Sequence, residues 1–504
     1  MKYYLAIDVG TTNWKAAVFD ELGNLAAIER TPTVTHTDSE GQSYYDASEL
    51  WDSICKLCAG AVARAGKPIA AVSVASVAEA VAAIDRDGNT VGQIITWFDT
   101  RSMCQAKEME QRFGKEQLYE ITGLDVNPIF SLPKILWVRQ NRPQEYERAC
   151  CWLQMADYIL YRLSGVFVTD YTLASRTLAF DIVRNCWSEE ILDGVGISRD
   201  ALPQAKESGT VIGTISNRIS RETGITPGAK IVVGGNDHPC ASIAAGVVGK
   251  NKILDSSGTA ESFIYVSASG EIPEMTFRGQ RICRYLQRDR YALWGGIISS
   301  GRTFDWAYET FSAAKAGGVS ISDVLRELET ERGVESGLLF YPHLRGAGAP
   351  HWNPRVKGAF VGLSDRHTSK NMMRSVLEGL SMQARMIVEM EEAIIGKRAQ
   401  SVCVVGGSSR NILWQTIKAD ILQKDVELCR ESEATALGAA MLAAIGDGRY
   451  GNLEEAAEFL AAKNQVIHPE PKRASVYEPW YEIYQDGYQQ LQEMSQRVDS
   501  QLRR

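Results

Sequence analysis

No stretch of this 504-residue chain is apolar for long enough to span a bilayer. The best candidate, residues 70–84, is interrupted by Ser73, Ser76 and Glu79. Near the start, Asp8 breaks the apolar residues and no small-residue cleavage site follows, so no secretory signal is expected and a cytoplasmic location is. Positive charge is not in excess either. The formal net charge is -8, which argues against a nucleic-acid binder with a large basic face, though not against a small basic pocket. The ten cysteines are scattered. Neither Cys55-x-x-Cys58 nor the adjacent Cys150-Cys151 has a second Cys or His pair at zinc spacing, so reduced and mostly buried thiols are expected. What is present is the composition of an ordinary soluble protein, 45% hydrophobic and 23% charged. The length exceeds what one core holds and implies two or three domains.

The most informative stretch is Tyr3-Tyr4-Leu5-Ala6-Ile7-Asp8-Val9-Gly10-Thr11-Thr12. Its apolar run delivers Asp8 to a strand end and Gly10 permits a tight turn. Thr11 and Thr12 then offer hydroxyls and amides to an anion such as a phosphate. A related pattern returns at Lys252-Ile253-Leu254-Asp255-Ser256-Ser257-Gly258-Thr259. Two such turns imply a duplicated fold that clamps a nucleotide between its halves.

Strands and helices alternate around these turns, as in α/β proteins. Residues 14–20 and 25–28 read as strands joined at a turn over 21–24. Residues 47–65 place Leu50, Trp51, Ile54, Leu57 and Cys58 at helical spacing. Residues 69–76 read as a strand, and 80–84 with 91–97 as a hairpin. The section 102–163 is expected to be mainly helical. Ile231-Val232-Val233 forms a strand entering Gly234-Gly235-Asn236-Asp237, and residues 241–246 read as the beginning of a helix. In the second half, Thr368-Ser369 caps a helix running to about Ile395. Residues 401–405 form a strand entering Gly406-Gly407, followed by helices over 412–422 and 435–444. The end, 480–504, is expected to be a polar surface helix with a frayed tail.

Taken singly, each of these motifs can be a plain turn or a glycine at a strand end. Their order and number carry more. Lys357-Gly358-Ala359-Phe360-Val361-Gly362-Leu363, followed by Asn371 to Glu378, is similar to the C-terminal signature of the FGGY carbohydrate kinase family. Residues 131–141, Ser-Leu-Pro-Lys-Ile-Leu-Trp-Val-Arg-Gln-Asn, resemble its N-terminal signature, with Ile129 departing at the first position. Residues 94–101 resemble its Trp-x-Asp-x-Arg segment. From Tyr4 to about Gly446 the chain resembles this family, part of the actin/hexokinase-like ATPase superfamily. The resemblance implies an α/β fold of two actin-like (ribonuclease H-like) domains flanking a deep cleft that closes on substrate. Residues 1–248 would form the sugar side and 249–504 the nucleotide side. It implies transfer of the γ-phosphoryl group of ATP, with Mg2+, to a hydroxyl of a xylulose-like or fuculose-like ketose. A polyol kinase of glycerol or erythritol type is the alternative. A non-catalytic sugar or nucleotide sensor would lack the base or a phosphate loop, whereas Asp237, Thr11 and Thr259 are all present. The implied partner is a small-molecule sugar, with no nucleic acid and no membrane; a homodimer is a compatible assembly.

The family's residues carry over one at a time. Asp237 falls at the catalytic base: a carboxylate beside a sugar hydroxyl orients it and accepts its proton. A helix-capping aspartate is the plain alternative. Thr11, Thr12 and Asn13 fall at the first phosphate loop, and Lys15 where relatives place a basic residue near the transferred phosphate. Asp8 would approach Mg2+, directly or through water. Gly258 and Thr259 resemble the second phosphate loop, Gly301 and Asp305 fall where relatives contact ATP, and Gly407 and Asn411 match the adenosine site. On the sugar side, ketopentose kinases carry Met-His and glycerol kinases Arg-Glu shortly before the position of Asp85; this chain has Ala78-Glu79. Glu79 could bond sugar hydroxyls or be an exposed strand carboxylate. Trp97 could pack on the sugar's apolar face or in the core, and His238 could donate to a hydroxyl or be structural. His343, Arg345 and His351 lie at irregular spacing in a Gly- and Pro-rich loop and are not read as a metal site.

Overall fold

The computed structural model describes residues 1–249, 251–312, 320–331 and 333–502. Two large sheets share one plan. In the first, strand Tyr3–Val9 pairs antiparallel with Asn13–Asp20, which pairs antiparallel with Leu25–Pro32. On its other side it runs parallel to Ile69–Ser76, which runs parallel to Lys230–Asn236; Val211–Thr214 closes that edge antiparallel. In the second sheet, Lys252–Ser257 pairs antiparallel with Glu261–Val266 and parallel with Ser401–Val405. Asp425–Leu428 then adds in parallel and Gln465–Ile467 closes the edge antiparallel. The duplication inferred from the two turns is thus a duplication of strand order. Strands Tyr3–Val9 and Ser401–Val405, inside the two sheets, are buried on both faces, which is why they read as apolar runs instead of alternating ones.

Helices cover the sheets and are bounded by ordinary chemistry. Helix Ala47–Ala65 starts where the Asp46 carboxylate accepts the amides of Ser48 and Glu49, and it stops at Gly66 with φ 60°. Helix Ser369–Ile395 opens with a Thr368–Asn371 capping box. Helix Asp237–Ala245 and helix Ala434–Gly446 pack tightly across the two halves. At Gly438 a Cβ would lie 1.8 Å from the Cys240 carbonyl, so only glycine permits that approach. Helix Ala434–Gly446 also packs on the strands Tyr3–Val9, Ile69–Ser76 and Lys230–Asn236, so a segment from the second half covers the first sheet.

Four expectations are corrected. The section 102–163 is interrupted by strand Ala149–Gln154, which pairs antiparallel with Val81–Asp85; it is short and cross-strand pairing, not periodicity, defines it. Residues 241–246 end a helix instead of starting one. The helix begins at Asp237, and Pro239 is tolerated because first-turn amides have no intrahelical acceptor. The second hairpin strand stops at Ile95, leaving Trp97 in a loop. The last helix spans Pro471–Leu502 and is no loose surface tail: Tyr477, Tyr481, Tyr484, Tyr488 and Leu491 repeat at helical spacing and are buried. Residues 503 and 504 of that expected helix lie outside the described residues. All ten cysteines are free; five are buried, whereas Cys104 and Cys186 are exposed.

Candidate active site

The second phosphate-type turn opens into a cavity of about 420 Å³. Six of the residues expected to contact nucleotide line it: Gly258, Thr259, Gly301, Asp305, Gly407 and Asn411. The turn is stitched to helix Gly301–Ser312, because the Gly258 carbonyl accepts the Gly301 amide at 3.0 Å and the Thr259 carbonyl the Ser300 amide at 2.9 Å. A Cβ at Gly301 would fall 2.4 Å from the Gly258 carbonyl, so this glycine brings two loops together. Gly407 differs: a Cβ there would meet no atom within 4 Å, which leaves room for a ligand. The Asn411 carboxamide oxygen accepts the Trp414 amide at 3.0 Å, so this residue caps helix Ile412–Leu422. That occupies the oxygen; its Nδ2 has no partner among the described residues. Phe304, Ile321, Leu325 and Trp414 supply apolar walls that the motif reading missed. The signal lay in helical spacing, which marks them equally well as core.

Beneath this turn lies an ionic group that the sequence did not announce. Lys418, wholly buried, meets Asp255 and, at 2.6 Å, Glu261. The Ser300 hydroxyl donates to the second oxygen of Glu261 at 2.5 Å. Burial and the charge of Glu261 drive the Asp255 carboxyl far above the usual range.

The first turn is built in the same way. The Gly10 amide donates to the Asn13 carbonyl at 3.1 Å, and the Thr12 carbonyl accepts the Thr33 amide at 3.0 Å. Thr11 and Thr12 are exposed. Asp8 is buried at the end of its strand, and Lys15 stands 3.6 Å from its carboxylate on the paired strand. The Lys15 ammonium also meets Glu433 at 2.7 Å, a carboxylate from the second half of the chain. Burial pushes the Asp8 carboxyl up to about 7; Lys15 opposes this, and the negative charges of Asp237 and Glu433 add to it. Asp237 itself is partly exposed on the first turn of its helix, with one oxygen accepting the His238 amide at 2.8 Å. It stands at the first helical position, not at the cap, which is Asn236.

The sugar-side candidates converge from several loops. Trp97 donates its indole N–H to the Thr11 hydroxyl at 3.1 Å. The His238 ring meets Trp294 edge-on at 5.4 Å, and Arg176 lies 5.2 Å from the same indole. Arg176 donates through Nε to Glu79 at 2.6 Å. Glu79 is therefore no exposed strand carboxylate: it is 4% exposed, lies off the strand in the left-handed region with φ 67°, and is ion-paired. The nearest guanidinium contacts go to Oε1, and Oε2 accepts no hydrogen bond among the described residues. Arg176 and Trp294 had no motif to announce their part here.

His343 and His351 do not converge with a third ligand. Among the described residues no group of three His, Cys, Asp or Glu side chains is placed to hold a metal ion.

Two sheets of one strand order, each with a polar turn at the end of its central strand and meeting through packed helices, define the two-domain actin-like ATPase fold. The FGGY family of carbohydrate kinases matches twice, its N-terminal domain over residues 3–244 and its C-terminal domain over 256–446. The chain belongs to this family and is a carbohydrate kinase, a phosphotransferase for which ATP is the phosphoryl donor. It is 29% identical over 507 residues to the xylulose kinase of Bacillus subtilis strain 168, covering 99% of both chains. It is 28% identical over 494 residues to the glycerol kinase of Thermococcus gammatolerans, covering 95% of this chain and 97% of that one. The solved xylulose kinase of Lactobacillus acidophilus shares the fold, with a TM-score of 0.89 at 24% identity over 99% of this chain and 100% of that one.

Proposed function

We propose that the enzyme transfers the γ-phosphoryl group of ATP to a hydroxyl of a xylulose-like ketose, with Asp237 as general base. The observation that carries this reading is the placement of Asp237. It is a partly exposed carboxylate whose charge is felt by Asp8 at the end of the strand before the first phosphate-type turn, and it directly precedes His238, whose ring meets Trp294 beside the Arg176–Glu79 pair. A sugar hydroxyl is a poor nucleophile at neutral pH, and a carboxylate in hydrogen-bond reach orients it and takes its proton as the phosphoryl group moves. Residues 249–504 would hold adenosine in the cavity at Gly407 and Asn411, with the amides of Thr11, Thr12 and Thr259 toward the phosphates. Residues 1–248 would hold most of the sugar, Trp294 being the contribution from the other half. The free Oε2 of Glu79 suits a hydroxyl, and Trp97 an apolar sugar face.

The negative charges of Asp237 and Glu433 raise the cost of ionising Asp8, which suits a divalent cation there. With no three-ligand cluster among the described residues, Mg2+ would meet Asp8 and take its other ligands from phosphate and water. When bound it offsets charge on the phosphates. Lys15 would then be held by Glu433 near the same charge.

One observation favours a polyol acceptor instead. Glycerol kinases carry Arg-Glu at the position of Ala78-Glu79, and here Arg176 restores that pair in space. ADP release measured with xylulose, fuculose, gluconate, glycerol and erythritol separates the readings; a preference for glycerol or erythritol overturns the ketose assignment. Asp237→Asn is expected to lower acceptor-dependent turnover by about 100-fold or more while ADP binding survives. Near-normal turnover would remove Asp237 from the role of base.

A further inference from the structure

Lys134 is the fourth residue of helix Ser131–Asn141, in the stretch that resembles the family's N-terminal signature. Its side chain is wholly buried and faces no carboxylate within ion-pair distance among the described residues. Instead the ammonium donates to three backbone carbonyls: Ile129 at 2.6 Å, Glu79 at 3.0 Å and Trp97 at 3.1 Å. An ammonium has three donors, so all are used. Two of the three acceptors belong to the residues placed above against the sugar, and they sit on separate loops.

Glu79 has every backbone group fixed. Its N–H donates to the Gln154 side-chain oxygen at 2.6 Å, and Gln154 is itself anchored to the Leu173 carbonyl at 2.5 Å. Its carbonyl accepts Lys134 and the Ser131 hydroxyl at 3.3 Å. This holds a bulky residue at a positive φ, a conformation that persists only where the surroundings over-determine it. Trp97 reaches onward to Thr11 of the first phosphate turn.

We infer that Lys134 is a positioning residue for the acceptor: one buried ammonium ties the Glu79 loop to the Trp97 loop and so sets the distance between the two sugar-facing side chains. Breaking the tie lets the loops move separately and weakens acceptor binding, while the nucleotide cavity, built from residues 258–414, is untouched. The inference rests on the proposed placement of Glu79 and Trp97 against the sugar.

The test uses the full-length enzyme with the best acceptor of the panel above, xylulose on the present reading. Lys134→Met is expected to raise the acceptor KM by about tenfold or more, with the ADP dissociation constant within about twofold of the parent. Lys134→Arg keeps the charge and guards against a variant that fails to fold. Its planar fork cannot serve three carbonyls gathered round one nitrogen, so the acceptor KM should still rise at least about threefold. An unchanged acceptor KM in Lys134→Arg overturns the inference, as does an equal weakening of acceptor and ADP in either variant. Glu79→Ala separates the two levels. If it leaves the acceptor KM unchanged, the placement of Glu79 falls. If it raises KM and the Lys134 variants do not, only the positioning role falls.

Discussion

Replacing Asp8 by Asn should stabilise the ligand-free enzyme at neutral and alkaline pH while abolishing its activity. The Asp8 carboxyl is 6% exposed and is raised from 3.8 to about 7, chiefly by burial. An acid held above its unfolded value binds its proton more tightly in the native state. Below pH 3.8 both states are protonated and nothing is lost. Between 3.8 and about 7 the unfolded state ionises and the native state does not, so stability falls as pH rises. Above about 7 the full penalty applies. Three pH units at about 1.4 kcal/mol each give roughly 4 kcal/mol, an upper figure that relaxation and water entry reduce. The asparagine never ionises and escapes this cost. Lys15 is not stranded by the change, because Glu433 remains at 2.7 Å. The assay is the thermal midpoint of parent and variant from pH 5 to 8.5 (chosen to straddle the upper end of the window), beside ADP release with the best acceptor. The midpoint difference should be less than half its full size at pH 5 and grow through pH 7. A variant less stable than the parent at pH 8, or a difference that does not change with pH, would refute the reasoning.

Three other substitutions probe the nucleotide half. Lys418→Met removes the cation from two buried acids, Asp255 and Glu261, and should destabilise the enzyme by about 3–5 kcal/mol; a thermal midpoint equal to the parent's would show that the acids re-pair or stay neutral. Gly407→Ala and Gly301→Ala form a contrasting pair. The first adds a methyl to open space and should leave the thermal midpoint unchanged while weakening ATP use; the second drives a methyl into the Gly258 carbonyl and should lower both. Equal thermal midpoints in the two variants would contradict that geometry.

Local order in this protein was legible in its sequence. Strands Tyr3–Val9 and Ser401–Val405 announced themselves as apolar runs because burial on both faces removes alternation. Helix Ala47–Ala65 was legible in the helical spacing of its apolar residues and helix Ser369–Ile395 in its capping Thr368, signals carried by neighbours in the chain. The two polar turns also stood out, and six of the residues carried over from the resemblance line one cavity. Strand Ala149–Gln154 was missed because six residues are too few to show a period and its partner lies far away in the chain.

The environment of each site residue was decided only by the tertiary structure. Glu79 could be read as a sugar ligand or an exposed strand carboxylate until Arg176, 97 residues on, paired with it. Nothing around Lys15 in the chain names its partner Glu433, 418 residues on. Asp255 looked like the end of a strand, and Lys418, 163 residues on, made it part of a buried ionic group. Lys134 stood in a recognisable signature, yet its three carbonyl acceptors became visible only in space. Periodicity and capping are properties of neighbours in the chain and are written there. The partner of a buried charge is chosen by which distant loops the two sheets bring together, and no local pattern encodes that choice.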